Sequence, residues 1–176
     1  LMRSYTVIVD QDRLERVETS QWRALLYTIC FLHSVVQERR KFGPLGWCIP
    51  YEFNDGDMNA CITFLEKHLY QGQLSWPTLQ YMVAEANYGG RVTDNWDRRT
   101  IANILAGFVN EAVLTPGHPF SPSGVYRSEG CETKAEYLEY VAQLPVNAAP
   151  EVFGLHENAD ITCAQNDTYS MFATIL

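Results

Sequence analysis

The chain has 176 residues, of which 47% are apolar and 19% charged, with a net charge of −8. That is enough for one folded domain, or one and a small extension, and too apolar for a disordered tail. With a pI near 4.9, the overall charge argues against nucleic acid or an anionic membrane as partner, because phosphates and lipid headgroups do not attract a net acidic surface.

No apolar run approaches the roughly 18 residues that suggest a spanning helix. The opening Leu1-Met-Arg-Ser-Tyr-Thr-Val-Ile-Val-Asp10 lacks a signal peptide's apolar core, so a soluble, intracellular protein is expected. The five cysteines, Cys30, Cys48, Cys61, Cys131 and Cys163, are odd in number, scattered and without a Cys-x-x-Cys pair; reduced thiols are expected. The sequon Asn166-Asp-Thr168 carries no weight in such a setting.

Residues 1–18 carry a short β-branched run, Tyr5-Thr-Val-Ile-Val9, expected as a lone strand or an incoming linker. From Thr19 the pattern becomes helical: Trp22, Leu25, Leu26, Ile29, Leu32, His33 and Val36 share one stripe, with Thr19 or Ser20 as cap. Arg39, Arg40 and Lys41 suit the negative end of that helix, and Gly43-Pro44 is expected to stop it. Gly43 to Asn54 holds two Gly, two Pro and three aromatics in twelve residues, which predicts an ordered, packed loop.

A second helix is expected from Asp55 with Met58, Cys61, Ile62, Leu65 and Leu69 inward, closed by Gln71-Gly72. Ser75-Trp-Pro77 starts a third, with Leu79, Met82, Val83 and Ala86 as its inner face and Gly89-Gly90 as its end. Thr93 or Asp94 caps a fourth, whose stripe reads Trp96, Ile101, Ile104, Leu105 and Phe108. Residues 115–124 contain three Pro and two Gly and read as loop. Thr133-Lys-Ala-Glu136 has capping-box form and opens a fifth helix, with Tyr137, Leu138 and Val141 as contacts before Pro145.

The last stretch, Asp160 to Leu176, reads as helix with Ile161, Ala164, Thr168, Met171, Phe172 and Ile175 facing inward. Such an apolar, uncapped ending suggests a piece of something longer. No period of 20 to 50 residues is present, so a repeat protein is excluded. The fold class is mainly α, with long ordered loops and little or no β.

Several constellations carry both a chemical and a plain reading. Cys30 and His33, or Cys61 and His68, have spacings that permit metal ligation, but no third and fourth ligands follow at recognisable spacing; packing is favoured and no metal is assigned. His118 and His156 have no Ser or Cys in a nucleophile setting, which excludes a hydrolase. No Gly-x-x-x-x-Gly-Lys-Ser/Thr loop occurs, so catalysis of ATP hydrolysis by this stretch alone is not expected. Trp47, Tyr51 and Phe53 either anchor their loop to the core or form a partner surface, and their burial decides. Arg98 and Arg99, with Arg39 to Lys41, make either a basic face for an adjoining module or solvated helix ends, with Asp94 and Arg98 as an i,i+4 pair.

Three segments, Glu38-Arg-Arg-Lys-Phe-Gly-Pro-Leu-Gly-Trp-Cys-Ile-Pro-Tyr-Glu-Phe-Asn54, Asn87-Tyr-Gly-Gly-Arg-Val-Thr-Asp-Asn-Trp-Asp-Arg-Arg99 and Pro150-Glu-Val-Phe-Gly-Leu-His-Glu-Asn-Ala-Asp-Ile161, together closely resemble dynein heavy chains. The resemblance covers roughly residues 20–176. It implies the small helical lid subdomain of the sixth and last AAA+ module of the motor ring, next to the C-terminal region. On that basis residues 1–19 would be an incoming segment from the preceding large subdomain, 20–158 the lid, and 159–176 a final helix leading toward the C-terminal region.

The same resemblance implies no cofactor in this stretch, with ATP and magnesium in other modules. The partners it implies are neighbouring AAA+ modules and the C-terminal region of the same chain, and, through the parent protein, microtubules and dynein intermediate and light chains. Arg39 to Trp47 and Cys48 to Phe53 look more like axonemal than cytoplasmic dyneins, which implies the cytoskeleton of the cilium or flagellum. Arg91 resembles the lid arginine that reaches a nucleotide's γ-phosphate, always charged and able to bind bidentately. Its alternative is an ion pair with Asp94 or Asp97 that holds the loop. Arg98, Arg99, Arg39, Phe172 and Leu176 are the interface candidates. A protein-interaction module binding a light chain or another axonemal component is the alternative for the whole.

Overall fold

A computed structural model describes residues 1, 2, 5, 10–72 and 74–175, the side chain of residue 175 excepted. Seven α-helices lie within them: α1 (Gln11–Glu15), α2 (Ser20–Glu38), α3 (Asp55–Tyr70), α4 (Trp76–Tyr81), α5 (Asn95–Phe108), α6 (Lys134–Gln143) and α7 (Ala159–Ile175). The only sheet among the described residues is one antiparallel pair, β1 (His118–Pro119) with β2 (Arg127–Ser128). The mainly-α expectation holds. No described helix is long and apolar enough to cross a membrane. The expected strand at 5–9 lies largely outside the described residues; Tyr5 itself is fully buried.

The helix α2 organises the rest. Its apolar spacing predicts a single inward stripe, yet every residue from Leu25 to Val36 is buried. A helix apolar enough all round is wrapped on all sides, and α1, α3, α5, β2 and the 3₁₀ turns Glu111–Leu114 and Pro150–Phe153 all pack on it. Two of the polar groups this buries are satisfied within the helix: Thr28 Oγ1 donates to the Ala24 carbonyl and Ser34 Oγ to that of Cys30. On one side Phe31 stacks on Phe120 at 4.6 Å and meets Phe108 edge-on, while Tyr27 meets Tyr5 and Tyr137. On another, Phe53 packs edge-on against Tyr88.

Beyond Glu38 the chain tightens into a 3₁₀ helix, Arg39–Leu45, kinked at Gly43, so Gly43-Pro44 redirects the chain rather than stopping it. Gly46 is then required: a Cβ there would lie 1.8 Å from the Arg39 carbonyl oxygen. The loop that follows is packed as expected, with Trp47, Tyr51 and Phe53 all buried. Trp47 Nε1 donates to the Val36 carbonyl (3.0 Å) and Gln37 Nε2 to that of Phe53 (2.8 Å). One of the open carbonyls at the end of α2 is thereby satisfied.

Two sequence expectations shift register. α4 runs into a π-helical segment, Met82–Asn87, and then a 3₁₀ turn, Tyr88–Gly90. The widened turn buries Val83, Ala84 and Tyr88, leaving Met82 half-buried and Ala86 exposed, where an unbroken 3.6-residue period predicts Met82, Val83 and Ala86. At α6, Thr133 accepts from the Glu136 amide, but the Glu136 carboxylate bonds the Glu132 amide, one residue earlier than a capping box requires.

Trp47→Ala should destabilise the fold by about 3 to 5 kcal/mol, from the lost ring and the orphaned Val36 carbonyl; denaturant unfolding measures it, and Trp47→Phe isolates the smaller hydrogen-bond share. A second expectation concerns His33, fully buried with Nδ1 2.7 Å from the Tyr88 hydroxyl. Burial pulls its pKa down to about 4, against weaker opposing pulls from Asp55 and Asp57. The unfolded chain therefore binds a proton near pH 6.5 that the folded chain refuses. Stability is complete above that pH and should fall by about 2 kcal/mol between pH 7 and 5. Urea midpoints across that range should slope accordingly, and the slope should flatten in His33→Gln.

Candidate functional site

Arg91 follows the 3₁₀ turn in which Tyr88 is held by His33 and Gly89 sits against the Ala84 carbonyl, where a Cβ would approach to 2.4 Å. The amides of Arg91 and Val92 close the turn onto the carbonyls of Tyr88 and Gly89. This fixes the Arg91 side chain toward the start of α3, where its Nε donates to Asp57 Oδ1 at 2.7 Å. The other Asp57 oxygen accepts from the Asn54 amide, completing a capping box with Asn54 Oδ1, which accepts from the Asp57 amide. Asn87 Nδ2 adds a bond to the Asp57 carbonyl. Arg91 is thus ion-paired, in line with its structural reading, but with Asp57 and not with Asp94 or Asp97. The pair is asymmetric in exposure: the Arg91 side chain is 47% exposed and that of Asp57 7%.

The neighbouring helix α5 is capped by Asp94, whose side chain accepts from the Trp96 and Asp97 amides, while the Asp94 amide donates to the Tyr51 hydroxyl. With that amide already engaged, the Asp97 carboxylate reaches across to the amides of Cys48 (3.0 Å) and Ile49 (3.3 Å). Asp97 is buried and Trp96 is 69% exposed, the reverse of the predicted stripe. The carboxylate takes the inward position because two loop amides await it there. Arg98 Nε donates to the Val92 carbonyl (2.9 Å), and the Arg99 guanidinium lies 5.3 Å from the Trp96 ring centre. Arg98 therefore grips the Arg91 loop, and the i,i+4 pairing with Asp94, one of its two readings, is not formed.

Cys48, Asp94 and Asp97 bring three atoms of metal-ligand type together. Both carboxylates are already engaged by backbone amides, and a hydrogen bond with Asp97 raises the Cys48 pKa. The other cysteine and histidine pairs are packing elements. Burial pushes both Cys30 and Cys61 up to about 12, and His68 Nε2 accepts from the Ser75 amide.

Of the interface candidates, Arg39 turns inward. It is 5% exposed, donates through Nε to the Gly46 carbonyl and through Nη1 to that of Phe153, and lies over the Trp47 ring. It contributes nothing to an exposed basic face, and Lys41 pairs with Glu38. Arg98, Arg99 and Phe172 are on the surface; Leu176 lies outside the described residues. On α7 the expected inward face points outward: Ile161 is 60% exposed, Met171 67% and Phe172 60%, and Ala164 and Thr168 are exposed too. The helix rests on the 3₁₀ segment Arg39–Leu45, where Asn166 Nδ2 donates to the Lys41 carbonyl.

Asp57 and Asp97 escape a reading of the sequence by hydrophobic spacing. Both stand three residues after a capping residue, in Asn54-x-x-Asp57 and Asp94-x-x-Asp97, and that shared spacing is the signal that could have found them.

Residues 22–159 match the family model described as the dynein heavy chain AAA lid domain. Dynein axonemal heavy chain 1 of Rattus norvegicus is 46% identical over 178 residues, covering all of this chain and 4% of that protein. Dynein axonemal heavy chain 5 of Mus musculus is 45% identical over 172 residues, covering 96% of this chain and 4% of its own length. For dynein axonemal heavy chain 8 of Homo sapiens the figures are 44% over 171 residues, 95% and 4%. The chain therefore spans about 4% of the length of these curated relatives. The family match over residues 22–159 and the 44–46% identity to axonemal heavy chains place this chain in the dynein heavy chain AAA lid family.

Proposed function

We propose that the chain is the mechanical lid of the last AAA+ module of an axonemal dynein heavy chain. In this reading it packs on its ring neighbour and on the C-terminal region, and helps couple ATP hydrolysis to movement along microtubules. Its contribution is contact and not bond chemistry; ATP and magnesium belong to other modules of the parent. The observation that carries the reading is the contrast between a closed core and the outward face of α7, where Ile161, Tyr169, Met171 and Phe172 are each at least 60% exposed. Apolar side chains at that spacing on one helix are a docking surface for a further element. Rigid-body rotation of a packed unit about such an interface is an established way to transmit motion. Microtubules and the intermediate and light chains would be engaged through the parent protein, in the axoneme.

The burial of Trp47, Tyr51 and Phe53 favours this reading over a light-chain-binding module, since those rings are committed to the core. Phe172→Asp in the full heavy chain tests it directly. Microtubule gliding should slow several-fold with folding unaffected, because the ring makes little contact within the lid; wild-type gliding would overturn the coupling role.

A nucleotide-sensing role for Arg91 is a second reading, supported by the half-exposed guanidinium. Its Nε is on Asp57, which leaves other donors free. Arg91→Ala separates the two. A structural arginine loses about 1 to 3 kcal/mol of lid stability by leaving the largely buried Asp57 carboxylate short of a partner, with ATP dependence of the motor unchanged. A sensor shifts the KM for ATP. The structural outcome is expected.

A further inference from the structure

The outer side of the α5 start carries two guanidinium groups, Arg98 and Arg99, with which no carboxylate among the described residues forms a salt bridge. Acidic residues outnumber basic ones by 21 to 13 in the sequence, so carboxylates are plentiful. Yet among the described residues neither Arg98 nor Arg99 has a carboxylate partner: the salt bridges are Arg16 with Glu66, Lys41 with Glu38 and Arg91 with Asp57. The nearby acids are engaged elsewhere, Asp94 on the amides of its own helix, Asp97 on Cys48 and Ile49, and Asp57 on Arg91 and Asn54. Two adjacent arginines one turn into a helix also stand close to its positive end, where a cation is disfavoured. Beside them Trp96 is 69% exposed and carries the Arg99 guanidinium against its ring.

An exposed indole next to two guanidinium groups that lack a carboxylate has the composition of an interface anchor. Trp and Arg dominate binding energy when a partner covers them, and a guanidinium stacked on an indole is already oriented to receive a carboxylate. We propose that Trp96, Arg98 and Arg99 anchor an acidic segment located elsewhere in the same heavy chain. This rests on the lid reading above. A protein carboxylate fits better than a phosphate polymer, whose charge along its whole length meets the repulsion of a chain of net charge −8, whereas a short acidic segment touches only the two guanidinium groups. The same polypeptide is the source because the matched relatives are so much longer than this stretch, which covers 4% of them. A segment in the same chain meets the anchor intramolecularly, without the cost of bringing two molecules together.

The test uses the full heavy chain with a photo-crosslinking residue at the exposed neighbouring position, Asn95→p-benzoylphenylalanine, and peptide mapping after irradiation. The expected product joins position 95 to a peptide of the same heavy chain rich in Asp or Glu. Its yield should drop about tenfold when Arg98→Glu and Arg99→Glu are added, and recover when the mapped carboxylates are changed to Lys. A product on a separate polypeptide, a product on a segment without carboxylates, a yield indifferent to charge reversal, or no product at all would overturn the anchor. The crosslink is scored independently of gliding. If Phe172→Asp leaves gliding intact while the acidic crosslink forms, the coupling role fails and the anchor stands; if gliding slows and the crosslink is missing, the anchor fails and the coupling role stands.

Discussion

The buried Arg39 guanidinium is the interaction on which the remaining architecture depends. It sits just past the end of α2, nearly sealed from water, and holds the carbonyls of Gly46 and Phe153 while lying over the Trp47 ring. Burial pulls its pKa down to about 10, partly offset by the charge of Asp97, so it remains a cation at neutral pH. A cation in such a place is tolerated only when carbonyl dipoles and a ring face replace its water. Three parts of the chain, the helix end, the aromatic loop and the turn before α7, are thereby brought to one point. Asp97 extends the same knot into α5 by gripping Cys48 and Ile49.

Much of the core is legible in the sequence because hydrophobic spacing and helix punctuation survive without tertiary information. The stripe of α3 (Met58, Cys61, Ile62, Leu65 and Leu69) is buried as read, and the ring-rich loop after Gly43 is packed as its Pro and Gly content demands. The failures share a cause. Trp96 reads as a core residue on hydrophobicity alone, while Asp97 beside it holds the buried place because its oxygens meet amides from a segment nearly fifty residues away. A period count assigns polar residues to water and has no means of seeing a distant donor. Met82 and Ala86 depart from their expected places for a different reason: the π segment changes the number of residues per turn halfway along the helix.

Arg39 shows the same blindness from the other side. Three successive basic residues at a helix end look like solvated dipole partners, and for Lys41 that is close to the truth, since it pairs with Glu38 at the surface. Only the 3₁₀ turn that follows rotates Arg39 inward while its neighbours stay outside. The Arg91 loop is legible in kind and not in partner, because its acid comes from α3 and not from the nearer carboxylates of α5. In both cases the residue type announces a charged contact and the fold chooses which one.

The narrow footing of α7 has a mechanical meaning. This helix rests chiefly on the kinked segment Arg39–Leu45, with Asn166 bonded to the Lys41 carbonyl, and its far end carries Met171 and Phe172 out into solvent. A helix of 17 residues is about 25 Å long, so a tilt of roughly 10° about that footing would sweep its tip by about 4 Å. The fulcrum lies next to the buried Arg39 guanidinium, held by two carbonyls and a ring face, and the far end of the lever carries exposed apolar side chains. Small rearrangements at the kink would thus emerge, magnified, wherever that end is gripped.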